Sequence, residues 1–162
     1  MTMFSPLEPQ NFSTSPMQQA LTLARLAAGK GEVPVGAVIV DSTTGKVIAS
    51  AYNHTETNAD PTAHAELLAI REACEKLGSP RLTTCYLYVT LEPCPMCAQA
   101  ISFARIRRLY YGAADSKGGG VDNGPHIFTQ ATCHHKPEVI AGMEETECGD
   151  VLKQFFAARR QP

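Results

Sequence analysis

Two short segments of this 162-residue chain carry side chains suited to a metal site. His64 stands two residues before Glu66, and Cys94 stands three residues before Cys97. One imidazole and two thiolates supply three zinc ligands and leave the fourth tetrahedral position to water. Zinc lowers the pKa of such a water from about 15.7 towards about 7. The pattern predicts a hydrolytic site with one Zn²⁺ per subunit and Glu66 as the catalytic proton carrier.

The first segment is expected to open a helix. Residues 60–62, Asp-Pro-Thr, offer a cap and an initial proline for a helix over residues 63–77. His64 and Glu66 then fall in its first turn. The backbone amides there have no partner within the helix, so we expect Ala65 to help hold the nucleophile or the tetrahedral oxygen.

The second segment also opens a predicted helix. Pro93 ends an aromatic and β-branched strand, and a helical pattern follows over residues 94–104. Cys94 and Cys97 are three residues apart and share one face of that helix. The positive end of the helix dipole favours both side chains as thiolates. Spacing and electrostatics therefore agree on a pair of metal ligands.

The rest of the chain alternates between helical and strand patterns. The predicted elements are a helix at 16–29, strands at 33–40, 46–53, 85–91, 108–113 and 138–142, and a closing helix at 144–160 with Val151, Leu152, Phe155 and Phe156 facing inward. This order predicts an α/β fold, a three-layer α/β/α sandwich with a central mixed five-stranded sheet. Residues 16–160 are expected to form a single domain behind a flexible tail at 1–15. The glycine-rich stretch 117–124 is expected to be a mobile loop.

Composition narrows the class of protein. A hydrophobic content of 44% is enough for one core of ordinary size. The amino terminus lacks the pattern of a secretory signal, and no apolar run has membrane-spanning length. The protein, with its six cysteines, is therefore expected in a reducing compartment, the cytoplasm. A net charge of −2 gives no general attraction to nucleic acid, so such a partner would need a local basic patch.

Two other interpretations of the motif remain open at this point. A Cys-x-x-Cys pair is also typical of redox sites, although His64 then has no task as a third ligand. A fourth ligand from residues 133–135, Cys-His-His, would close the site and make a non-catalytic, zinc-stabilised binding protein. The remaining cysteines fall within helix or strand patterns and are expected to be small buried residues: Cys74, Cys85 and Cys148.

The two motifs in this order resemble the zinc-dependent cytidine and adenosine deaminase superfamily, whose signature is His-x-Glu followed by Pro-Cys-x-x-Cys. A closer resemblance, to bacterial tRNA-specific adenosine deaminases, rests on residues 32–38, 60–66, 87–94 and 155–160. It extends from about Pro16 to Arg160. The 118–124 stretch departs from the commonest form, and the residues before Pro16 have no counterpart.

The resemblance implies zinc on the two cysteines and His64, adenosine-to-inosine conversion at the wobble position of a tRNA anticodon stem-loop, and a homodimer. It further implies that Asn53 contacts the flipped purine and that Asp115 and Lys117 approach the RNA strand. In the reaction, Glu66 takes a proton from water, delivers it to the ring and assists departure of ammonia. A deaminase of a free nucleobase or nucleoside, such as guanine, cytosine or cytidine, is the alternative.

Overall fold

The computed structural model describes residues 14–160, so most of the expected tail, and its predicted flexibility, lies outside the described residues. The helices are α1 (Pro16–Gly29), α2 (Ala65–Leu77), α3 (Pro95–Phe103) and α4 (Glu145–Arg159). The strands are β1 (Gly36–Asp41), β2 (Val47–Tyr52), β3 (Cys85–Leu91), β4 (Arg108–Ala113) and β5 (Glu138–Ala141). A short 3-10 turn covers Ile127–Thr129.

The strands form one five-stranded sheet in the order β2-β1-β3-β4-β5. Strand β1 is antiparallel to β2 and β3, whereas β3, β4 and β5 run parallel to one another. Helices α1 and α4 pack on one face of the sheet, and α2 and α3 pack on the other. The mixed sheet and the three layers confirm the predicted α/β/α sandwich.

Side chains along the central strands alternate between the two faces of the sheet, so each face contributes to its own hydrophobic core. Ile39 and Leu87 face α2 and α3, and Val38 faces α1 and α4. Helix α1 approaches β1 so closely that a Cβ on Gly36 would collide with the backbone of Ala20. Glycine is therefore required at the start of β1, where the helix and the sheet touch.

Three expected boundaries or faces are wrong. Strand β1 begins at Gly36 rather than residue 33, since Pro34 has no N–H to donate to a strand ladder. Helix α2 begins at Ala65, because Asp60 Oδ1 accepts the N–H of Thr62 and caps a turn instead of the helix. Phe156 on α4 is exposed, not inward.

Candidate metal centre and active site

The predicted metal ligands converge in space. His64 Nδ1 lies 3.6 Å from Cys94 Sγ and 3.5 Å from Cys97 Sγ. All three ligand atoms lie within 4.8 Å of one another. In a tetrahedral zinc site with the usual bond lengths, nitrogen and sulfur ligands are separated by about 3.6 Å. The separations and the donor types therefore fit zinc.

Two helix starts position these ligands. His64 is the residue that precedes α2, and Cys94 is the residue that precedes α3. Both have extended backbone angles, and neither side chain makes a capping hydrogen bond to its helix. Their ligand atoms are therefore free to point at the third ligand, Cys97, on the first turn of α3.

The pKa values of the two cysteine thiols are shifted in opposite directions. Hydrogen bonds from Cys97 and His64 lower the pKa of Cys94 to about 4. The hydrogen bond that Cys97 donates to Cys94 raises the pKa of Cys97, and burial adds to this effect. Cys94 is thus the readier thiolate, and zinc binding would release the remaining proton.

Glu66 lies beside this group and is 4% exposed. Burial raises its pKa above the usual value, and the nearby Cys94 acts in the same direction. His64, Glu66 and Cys94 all line a cavity of about 260 Å³. A buried carboxyl group with a raised pKa, facing a cavity next to a metal site, is suited to receiving and returning a proton.

Asn53 forms part of the same cavity and is buried. Its Oδ1 accepts the backbone N–H of Ala65 at 2.8 Å. The Ala65 amide, expected to meet substrate, therefore has a partner within the protein. This bond fixes the orientation of the Asn53 amide group, while the substrate-binding roles of Asn53 and Ala65 stay predictions.

The stretch expected to be mobile is bound to the body of the protein. Glu92 is buried and accepts hydrogen bonds from the backbone of Asp115 and of residues 121–123. The glycines of this stretch serve close packing, since a Cβ on Gly120 would overlap the backbone of Pro95. The mobility of the stretch stays a prediction. Glu92 belongs to no recognised motif, and the signal that could have identified it is an acidic residue directly after a largely buried strand.

Asp115 lines the cavity, whereas Lys117 lies just outside it. The Asp115 carboxylate accepts the backbone N–H groups of Lys117 and Gly118 and so stabilises a local turn. Lys117 is exposed and borders an adjoining cavity of about 480 Å³. Asp115 therefore lies in the wall of the site cavity and Lys117 in the wall of the adjoining one, and their RNA contacts stay predictions.

The Cys-His-His segment is not a fourth ligand. Cys133 Sγ contacts Ser102 Oγ at the far end of α3, and His135 Nε2 lies 2.6 Å from the carbonyl oxygen of Ile106. Helix α3 separates this end from Cys94 by about 12 Å at 1.5 Å per residue. The closed structural site is therefore wrong.

Comparison with known proteins agrees with this geometry. Residues 11–113 match the family model described as "Cytidine and deoxycytidylate deaminase zinc-binding region". A tRNA-specific adenosine deaminase of Agrobacterium fabrum is 56% identical over 144 residues, which cover 89% of this chain and 93% of the relative. The Bacillus subtilis protein of the same name is 45% identical, with 90% and 89% covered.

A solved structure supports the same grouping. It comes from a study of A-to-I editing by tRNA:A34 deaminases at the wobble position of transfer RNA. It is 56% identical, superposes with a TM-score of 0.82, and covers 85% of this chain and 98% of its own. The chain therefore belongs to the zinc-binding cytidine and deoxycytidylate deaminase family, together with the bacterial tRNA-specific adenosine deaminases.

Proposed function

We propose that this chain is a zinc-dependent hydrolytic deaminase that converts adenosine to inosine at the wobble position of tRNA anticodon loops. The observation that carries this proposal is the cavity where Glu66 adjoins the convergent ligands His64, Cys94 and Cys97. High identity to proteins named tRNA-specific adenosine deaminases supports the substrate class. The free-base alternative is not favoured by these relatives.

In this mechanism Glu66 carries the protons. When bound by His64, Cys94 and Cys97, zinc supplies an acidified water and polarises the reacting centre. The water oxygen forms a bond to C6 of adenine while Glu66 passes a water proton to the ring nitrogen. Glu66 then supports proton transfer to the amino group, the C6–N bond breaks, and ammonia and inosine result. We expect Asn53, whose Oδ1 accepts the Ala65 N–H, to orient the base.

The RNA strand is expected to leave the site past the adjoining cavity. The two cavities share Val33, Leu91 and Asp115, and the adjoining one adds Lys117, Phe156 and Arg160. An exposed aromatic ring suits base stacking, and two cations suit phosphate. The reacting nucleotide must leave its stack to reach the first cavity, and an unpaired anticodon loop makes that step less costly.

We also propose a homodimer with one zinc per subunit, acting in the cytoplasm on tRNA. Phe103 is 70% exposed at the end of α3, and Met96 and Leu77 are also exposed. These apolar side chains belong to the α2–α3 side of the sheet and offer a surface for a second copy. Among the described residues, no helix combines the length and apolar character needed to span a membrane.

A deamination assay with matched substrates tests the function. The protein is incubated with an anticodon stem-loop that has adenosine at the wobble position, and separately with the same stem-loop carrying guanosine there. Free adenosine, guanine, cytosine and cytidine complete the panel. Inosine in the first RNA with no ammonia from the free compounds supports the proposal. Ammonia from guanine or cytidine alone would contradict it and favour the alternative.

A further inference from the structure

Two loops contribute to the wall of the site cavity. Thr55 contributes from the loop at residues 54–60, and Asp115 and Gly118 contribute from the loop at residues 115–124. Both loops consist of turns and bends outside the helices and strands. Such loops lack the regular backbone hydrogen bonds of helices and strands. Other interactions must therefore fix their conformation if they are to hold substrate-binding groups in place.

Glu92 supplies that order for the 115–124 loop. Its Oε1 accepts the N–H of Asp115 at 3.0 Å and the Nδ2 of Asn123 at 2.7 Å. Its Oε2 accepts the backbone N–H groups of Val121, Asp122 and Asn123 at 3.0–3.1 Å. One carboxylate thus binds five donors, all of them from this loop, and is itself 2% exposed.

Close packing reinforces this attachment. The N–H of Gly120 donates to the carbonyl of Pro93 at 2.8 Å, immediately before the ligand Cys94. A Cβ on Gly119 would overlap the Glu92 carboxylate, and one on Gly120 would overlap the backbone of Pro95. The loop therefore lies directly against the start of the ligand helix α3.

Glu32 makes the equivalent attachment for the 54–60 loop. It is fully buried, and its Oε2 accepts the N–H of Thr57 at 2.7 Å and the Oγ1 of Thr57 at 2.6 Å. Its Oε1 accepts the N–H of Glu56 at 3.0 Å and the Oγ1 of Thr55 at 3.4 Å. The 54–60 loop is thus held by four hydrogen bonds to one side chain.

We infer that Glu32 and Glu92 are positioning residues that fix the two loop walls of the site, so that substrate binding depends on carboxylates whose oxygens are fully engaged by the protein. The inference rests on the proposed function for the identity of the substrate. Both side chains act through the loops they hold, and the proton chemistry is left to Glu66.

Replacement by glutamine is the sharpest test, because it keeps the size of the side chain. In Glu92→Gln, either orientation of the amide directs an NH₂ group at two or three N–H donors that need an acceptor. Glu32→Gln does the same on the other wall. Glu56→Gln makes the same atomic change on an exposed side chain of the 54–60 loop and is the matched control.

We expect Glu92→Gln and Glu32→Gln to retain one zinc per chain and to raise KM for the stem-loop by about tenfold, with kcat changed by less than about threefold. Hydrogen exchange of the zinc-loaded protein should show faster exchange confined to residues 115–124 in the first variant and to 54–60 in the second. If Glu92→Gln does not fold, Asn123→Ala removes one of the same five bonds and should give a smaller effect of the same kind.

Unchanged KM and unchanged loop exchange in both variants, as in Glu56→Gln, would overturn the inference. A fall in kcat with KM unaffected would also overturn it. The exchange measurement needs no substrate, so failure of the inference is separable from failure of the proposed function. Wild-type protein inactive on the stem-loop would contradict the function, whereas normal activity in both glutamine variants would contradict only the positioning role.

Discussion

Carboxylates around the cavity divide into structural and chemical groups according to what their oxygens contact. Glu92 and Asp115 accept backbone N–H groups of the 115–124 loop. Glu66 instead lies next to the ligands Cys94 and Cys97, and burial raises its pKa. A carboxyl group that is destabilised as an anion and faces the reacting centre is the appropriate proton carrier.

Replacing this carboxyl group should lower kcat strongly and leave the metal in place. We expect Glu66→Gln to lower kcat by about 10²–10⁴-fold, the usual contribution of general acid–base catalysis. Elemental analysis should still find one zinc per chain. Glu72→Gln, the same change on an exposed part of α2, is the control and should retain full activity. Wild-type kcat in Glu66→Gln would refute the proton-carrier role.

Cysteine substitutions should distinguish metal ligands from cysteines that do not bind the metal. Cys97→Ser should lower zinc content and remove activity, because serine is a poor replacement for a thiolate ligand. Cys133→Ser should retain zinc and activity, since Cys133 Sγ contacts Ser102 at the far end of α3. Zinc content and melting temperature of the two purified variants provide the measurement. Equal zinc loss in both would contradict the assignment of three ligands.

At the scale of the elements, local signals predicted most of the framework. The bounds of β3 and β4 match the predicted strands; β3 is an aromatic and β-branched run that ends shortly before Pro93, and β4 carries two adjacent tyrosines. The anchoring of the 115–124 loop was not predicted, because Glu92, which binds its backbone, lies 23–31 residues earlier in the chain. Glycine content alone reports backbone freedom, and it cannot show which atoms the backbone approaches.

The two cysteine ligands were easier to predict than the contacts that hold the cavity walls, because their relation is local in sequence. Cys94 and Cys97 are related by one helical turn, so their spacing is a local property. The hydrogen bond between Asn53 and Ala65 joins the residue after β2 to the start of α2, and the attachment of Glu32 joins the loop between α1 and β1 to the 54–60 loop. Such contacts depend on how elements pack, which residue patterns along one segment do not encode.

Two glycine substitutions should have opposite effects on stability. Gly120→Ala would force the new Cβ into the backbone of Pro95 and should lower the free energy of unfolding by about 1–3 kcal/mol. Gly149, inside α4, has nothing within 4 Å of an added Cβ. Gly149→Ala should therefore raise the free energy of unfolding by about 0.5–1 kcal/mol. Urea unfolding of both variants measures these changes, and a stable Gly120→Ala would contradict the close packing.

The Glu32 attachment should also give stability a defined pH dependence. Burial opposes ionisation, yet hydrogen bonds led by the Thr57 side chain bring the pKa of Glu32 below its usual value of 4.5. The stabilisation of the folded state by ionised Glu32 is therefore fully present above about pH 4.5. It is lost as the pH falls through the lower pKa of Glu32 in the folded protein. The difference in melting temperature between wild type and Glu32→Gln should shrink from pH 6 to pH 3. A constant difference would contradict an ionised Glu32.

At the scale of the whole molecule, the two faces of the sandwich differ in what they leave exposed. Helix α1 carries Leu26, which is 46% exposed, on the face shared with α4. Helix α3 carries Phe103, which is 70% exposed, on the face shared with α2. A large ring that is 70% exposed is the more costly arrangement for a monomer, and a second copy would cover it.

Charge placed at these two positions should therefore have unequal effects on assembly. Phe103→Lys should shift the protein from dimer to monomer in sedimentation equilibrium, because a buried interfacial ammonium group lacks a partner. A cation at the C-terminal end of α3 is compatible with the helix dipole, so the monomer should remain folded. Leu26→Lys, on the opposite face, should remain a dimer. Dimers of equal stability in both variants would place the interface elsewhere, whereas a monomeric wild type would refute the homodimer itself.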